Sequence, residues 1–114
     1  MATAARAWAT TVVRVDAEEH YRWWKQTGRR HVNQILHDDW NPIGFELPDD
    51  EYSSYAGTVG RLLRERADVD EISAFLGSAR EHMGLQRADV DDRTDERIAT
   101  SLHAWYRDQM RERD

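Results

Sequence analysis

From Asp16 onward the apolar positions fall on a helical period. Tyr21, Trp24, Gly28, Val32, Ile35 and Leu36 follow one another at spacings of three, four, four, three and one, which is one face of an α-helix running to about Trp40. Asn41-Pro42 ends that helix, because a residue before proline is pushed out of the α region, and Gly44 permits the turn that follows. Pro48-Asp49-Asp50-Glu51 reads as the start of a second helix, with carboxylates where the unpaired backbone N–H groups and the helix dipole favour negative charge. Its apolar stripe is Tyr52, Tyr55, Val59, Leu62 and Leu63.

The third helix has the sharpest boundaries. Asp68 followed by Glu71 is a capping-box pair, with Ala67 and Ile72 placed for a hydrophobic staple. The helix is expected to bury Ile72, Phe75, Leu76, Ala79 and Met83. Gly84 then serves as the left-handed residue past its end, with Leu85 folding back. A polar stretch from Gln86 to Asp92 leads to a last helix carrying Ile98, Leu102, Trp105, Tyr106 and Met110 on its apolar side. Thr10 to Val15 is rich in β-branched residues, but no second strand pairs with it, so residues 1–15 are read as a short N-terminal arm. The pattern predicts an all-α protein: a compact four-helix bundle or orthogonal helical array, with residues 16–114 as a single all-helical domain.

Composition agrees with that reading and narrows the chemistry. A length of 114 residues leaves room for one core, and five Trp, four Tyr and two Phe supply apolar area despite 33% charged residues and a mean hydropathy of −0.89. The absence of cysteine excludes disulfides, thiolate zinc sites and thiol nucleophiles, and fits a cytoplasmic protein. No stretch approaches the roughly 20 apolar residues that cross a bilayer, and the first fifteen residues lack the apolar run of a secretory signal, so no membrane partner is expected.

The net charge of −6 is unevenly spread. Residues 1–30 sum to +3, while residues 31–60 hold Asp38, Asp39, Glu46, Asp49, Asp50 and Glu51 with no Lys or Arg and sum to −6. Such a segment steers a basic partner toward it and repels a phosphate backbone, so nucleic acid is not an expected partner. The bland alternative is that these carboxylates only cap the helices on either side of a loop.

Catalytic signals are sparse. His31 and His37 are six residues apart, whereas helical metal-binding pairs need four. His37, Asp38 and Asp39, joined by carboxylates across the loop, form the candidate ligand set of a metal-dependent enzyme, although the alternation of a calcium loop is missing. No serine lies in a nucleophile elbow and no glycine-rich loop cradles phosphate. Neither a catalytic residue nor a cofactor is expected.

The most distinctive segment is Trp40-Asn41-Pro42-Ile43-Gly44-Phe45, where rigid turn residues alternate with large apolar ones. Either Trp40 and Ile43 plug the end of the bundle, or Phe45 and Trp40 stay exposed as aromatic anchors inside the acidic patch. This segment, together with Asp50-Glu51-Tyr52-Ser53-Ser54-Tyr55, Arg61-Leu62-Leu63 and Met83-Gly84-Leu85, resembles a family of small uncharacterised bacterial proteins with a Trp-Asp-Pro-Ile-Gly signature. Asn41 stands where that family carries aspartate. The resemblance covers about residues 30–85 and implies a compact all-helical domain, with no activity to carry over.

The expectation is therefore a non-enzymatic protein-binding module, of the immunity or antitoxin type, that engages a basic partner through Asp38, Asp39, Trp40, Phe45, Glu46, Asp49 and Asp50. A metal-dependent enzyme is the first alternative. A homo-oligomeric structural protein, self-associating through exposed Trp8, Trp23 and Trp105, is the second.

Overall fold

The computed structural model describes residues 17–44, 46–48, 51–86 and 88–113. These form four helices and no strand. The first, α1, spans 17–40 and is continuous, but two π-helical stretches, Trp24–Gly28 and Leu36–Trp40, interrupt its α-helical parts Ala17–Trp23 and Arg29–Ile35. The others are α2 (Ser53–Arg64), α3 (Val69–His82) and α4 (Asp89–Arg113). The proposed arm, the strand-like Thr10 to Val15 and Trp8 lie outside the described residues.

Side-chain contacts fix how the helices run. On α1 and α2, Trp24 meets Gly60 while Trp40 meets Tyr52 and Tyr55, so the two helices are antiparallel. On α1 and α4, Trp40 meets Asp95, His31 stacks on Trp105 and Trp23 meets Gln109, so that pair is antiparallel as well. A single apolar cluster joins Val32, Leu36 and Trp40 of α1 to residues of every other helix, among them Val59, Leu76 and Leu102. The four helices therefore share one core.

The ends of α3 follow the local chemistry of their residues. Asp68 accepts the Glu71 N–H at 2.8 Å and Glu71 accepts the Asp68 N–H at 3.2 Å, a complete capping box. At the far end Gly84 has φ +81°, and the Leu85 and Gly84 amides donate to the Arg80 and Glu81 carbonyls, closing a Schellman motif. Helix α2 ends in the same way, with Ala67 donating to Leu62 and Arg66 to Leu63, but its left-handed residue is Arg66 at φ +65°. Ala67, 5% exposed, thus closes one helix and staples the next.

Two expectations need correction. Helix α2 does not begin in the Pro48 to Glu51 segment: the Glu51 N–H turns back to the Pro48 carbonyl and the helix starts at Ser53, behind Tyr52. Tyr52 is held in the core, 1% exposed, and this sets where helical geometry can begin. Trp23 is not an exposed self-association residue either, being 3% exposed against Trp105 and Tyr106. Trp105 is half-buried under His31.

Gly60 and Gly28 make room for the Trp24 indole, Gly60 across the α1–α2 contact and Gly28 within α1. A Cβ on Gly60 would lie 2.5 Å from the Trp24 indole, and one on Gly28 would lie 2.6 Å from the same ring. The Trp24 side chain fills space that only hydrogen leaves free.

The polar centre of the bundle is Asp95, 1% exposed. It accepts Arg80 Nε at 2.9 and 3.1 Å and the Trp40 indole N–H at 2.8 Å. Arg80, itself 4% exposed, also reaches Asp91 at 3.3 Å, and Asp91 accepts the Ala88 N–H at the start of α4. Removing one partner of a buried pair strands the other charge, so Asp95→Ala should cost about 3–5 kcal/mol in urea melts. A loss under about 1 kcal/mol would show that Arg80 finds another partner or water. At the turn after α2, Arg66→Gly should raise stability by up to about 1 kcal/mol, while Gly84→Ala should lower it by a similar amount, both read from the urea midpoint.

Candidate functional site

The candidate site is built on the last turn of α1 and the loop that follows. The π turn Leu36–Trp40 closes with the Asn41 N–H donating five residues back to the Leu36 carbonyl at 2.9 Å. Asn41 then takes φ +28° and ψ +66°, a left-handed region that asparagine enters more readily than most residues, and Pro42 forbids a return to the helix. The wider turn buries Leu36 and Trp40 together and leaves Asp38 and Asp39 exposed.

Three attachments hold the loop. The Tyr52 hydroxyl donates to Asn41 Oδ1 at 2.8 Å and accepts the Ile43 N–H at 3.3 Å. Ile43 and Leu47 are half-buried against the core. His37 Nε2 lies 2.7 Å from the Leu47 carbonyl, while its Nδ1 lies 2.6 Å from Asp38 Oδ1. Carbonyl and carboxylate both accept, so the two contacts are satisfied together when both ring nitrogens carry protons. Burial raises the Tyr52 hydroxyl above its ordinary pKa of 10.0, which keeps it protonated and donating to Asn41.

Of the residues expected to face a partner, Asp38, Asp39 and Glu46 are exposed, as is Glu51 beside them. Trp40 must be removed from that set. It is 3% exposed, its indole N–H is committed to Asp95 and its ring packs edge-on against Tyr52. Phe45, Asp49 and Asp50 lie outside the described residues. The metal alternative finds His37 with both ring nitrogens engaged, and no group of three or more His, Asp or Glu among the described residues is arranged to hold a metal.

Asp38 and Asp39 are not placed as helix caps. Asp38 and Asp39 sit at the C-terminal, negative pole of α1, where carboxylates are disfavoured by about 0.3–1 kcal/mol each. At α2 the residue in the cap position is Tyr52, with no side-chain cap bond.

Sequence reasoning missed the Asp95–Arg80 pair. Asp95 precedes Ile98, Ala99 and Leu102 by three, four and seven residues, the apolar stripe of α4, and a carboxylate in that register was the available signal. It also missed the second cluster, at the other end of α1. There His20 Nε2 and the Tyr106 hydroxyl are 2.8 Å apart, and the Trp23 indole N–H donates to Gln109 at 3.4 Å. Burial pushes the Tyr106 hydroxyl up to about 12.

No known protein family, curated protein or solved structure matches this chain in comparison. Among the described residues, no helix is long and apolar enough to cross a membrane.

His31 gives this helix a measurable pH response. Its ring is stacked 4.1 Å from Trp105 at 16°, and burial lowers its pKa below the ordinary 6.5, the nearby Asp39 charge offsetting part of that. The unfolded chain then takes up the proton more readily than the folded one. The stability this provides is present above about pH 6.5 and is lost as pH falls through the lowered value. The melting temperature should therefore fall less between pH 7 and pH 5 in His31→Phe, which keeps the stack, than in wild type. An equal fall in both would remove His31 from the acid response.

Proposed function

We propose that this chain is a non-enzymatic binding module that engages a basic protein surface through the carboxylates around the end of α1, with immunity or antitoxin proteins as the matching chemical type. The observation that carries the reading is the position of Asp38 and Asp39: both exposed at the negative pole of a long helix, where the dipole disfavours carboxylates and only Asp38 has a compensating contact, with His37, among those described. Charge held exposed at a helix end is available to a partner of opposite sign. Residues 31–60 contain no Lys or Arg to neutralise it, and the helix dipole adds to its field.

Several of the loop's described residues are tied to the core. Tyr52 ties down Asn41 and Ile43, and His37 ties down Leu47, so at these positions less ordering entropy is lost on association. Glu46 projects from that segment. The sequence adds Phe45, Asp49 and Asp50 to the same stretch as candidate anchor and flanking charges. Against an enzyme reading, Asp95, Arg80 and His37 are all consumed in contacts that hold the fold.

The test uses the variant Asp39→Asn, Glu46→Gln, Glu51→Gln, which leaves the His37–Asp38 contact intact. It should fold with unchanged or slightly raised stability. A basic protein captured from the native cell should associate with it at least about tenfold more slowly than with wild type at low salt, the difference closing as salt screens the field. Equal association rates for variant and wild type would defeat the proposal.

A further inference from the structure

A second surface lies at the opposite end of the α1–α2 pair. Between the N-terminal half of α1 and the C-terminal half of α2 is a cleft of about 250 Å³. We propose that it binds a small planar aromatic carboxylate, independently of the acidic loop.

The glycines of α2 are the first observation. Gly60 is required by packing, since the Trp24 ring occupies the place of its Cβ. Gly57, one turn earlier, is not: a Cβ there would meet nothing within 4 Å. A glycine inside a helix is less stable than alanine there, and here no neighbour asks for it. What Gly57 does is keep the cleft open down to the helix backbone.

The lining supplies the ligand class. Trp24 forms an aromatic wall fixed between Gly28 and Gly60, and His20 is held in place by Tyr106. Tyr21, 61% exposed, stands at the edge with the Lys25 ammonium 5.3 Å from its ring centroid. Rigid aromatic faces recognise a flat, apolar body. On the α2 side are Arg61 and Arg64. Arg61 pairs only loosely with Glu65, at 3.6 Å with both side chains more than half exposed, and Arg64 makes no ion pair among the described residues. In a protein of net charge −6 this is a local cationic site, and guanidinium groups match a carboxylate in shape as well as charge. A cleft of about 250 Å³ is below the volume of drug-sized sites, which selects one or two fused rings over a dinucleotide.

The full chain, labelled with nitrogen-15, is titrated with naphthalene-2-carboxylate and with its neutral carboxamide. The carboxylate should shift the Gly57 and Gly60 amides and the Trp24 indole N–H, saturating with a Kd between about 10 μM and 1 mM, and the carboxamide should bind at least about tenfold more weakly. Arg61→Gln with Arg64→Gln should bring the carboxylate down to the carboxamide's level. Gly57→Leu should fill the cleft and abolish binding while the far-ultraviolet spectrum and melting temperature are kept. Gly57→Ala, the smaller change, should weaken binding and raise the melting temperature. The proposal is overturned if carboxylate and carboxamide bind equally, if folded Gly57→Leu binds like wild type, or if the three reporters show no saturable shift up to about 5 mM ligand.

Discussion

The bundle depends on one carboxylate. Asp95 is taken fully out of water, and an isolated buried charge of that kind is prohibitively costly, so its three hydrogen bonds from Arg80 and Trp40 are conditions of folding. Each partner sits on a different helix: Trp40 ends α1, Arg80 lies in the last turn of α3, and Asp95 occupies the second turn of α4. A slip of any of the three helices by one residue turns its contributor away. Apolar contacts among Leu36, Leu76 and Leu102 tolerate such slips far better, since dispersion has little directional preference. The polar triad therefore sets register, and the apolar cluster supplies most of the driving force.

How much of this the sequence shows follows from how local each determinant is. The capping box at Asp68 and the glycine terminus at Gly84 lie within a few residues of the backbone groups they satisfy, and both are present where the residues place them. Apolar periodicity located all four helices because each buries one face in a single cluster. The start of α2 was misjudged for the complementary reason. The carboxylates near Pro48 fit a helix start locally, but Tyr52 is committed to Trp40 and Asn41, partners the local pattern does not contain. The fit of Gly60 to Trp24 joins residues far apart in the chain and leaves no local mark. Of the candidate site, the exposed carboxylates were legible from charge spacing, whereas the burial of Trp40 was not, because its partner Asp95 lies on α4.

The π turns of α1 did leave a signal. Trp24, Gly28, Val32, Leu36 and Trp40 repeat at a constant spacing of four. An α-helix advances about 100° per residue, so each step of four overshoots a full turn by roughly 40° and such a row would wind steadily around the helix. A π turn holds more residues and cancels part of that drift. Placing one at Trp24–Gly28 and another at Leu36–Trp40 keeps the row directed at the same neighbours, and Trp24 and Trp40 both face α2. A long run of fours, as opposed to alternating threes and fours, is the pattern that asks for an underwound helix.

The same feature connects the core to the acidic surface. The second π turn puts Trp40 into the bundle and Asp38 and Asp39 outside it within one turn of backbone. Trp40 is anchored to Asp95, and the next residue, Asn41, is anchored to Tyr52. The exposed carboxylates are thus followed directly by two anchored residues, Trp40 through a buried hydrogen bond to α4 and Asn41 through a part-buried one to the residue before α2. Such anchoring lets a helix end carry unfavourable charge without fraying, because the terminal turn is held by side chains beyond the helix itself. Without Trp40 and Asn41, repulsion between the carboxylates and the helix's own carbonyls would be relieved by unwinding the last turn. With them, the turn keeps its shape and the charge stays directed outward.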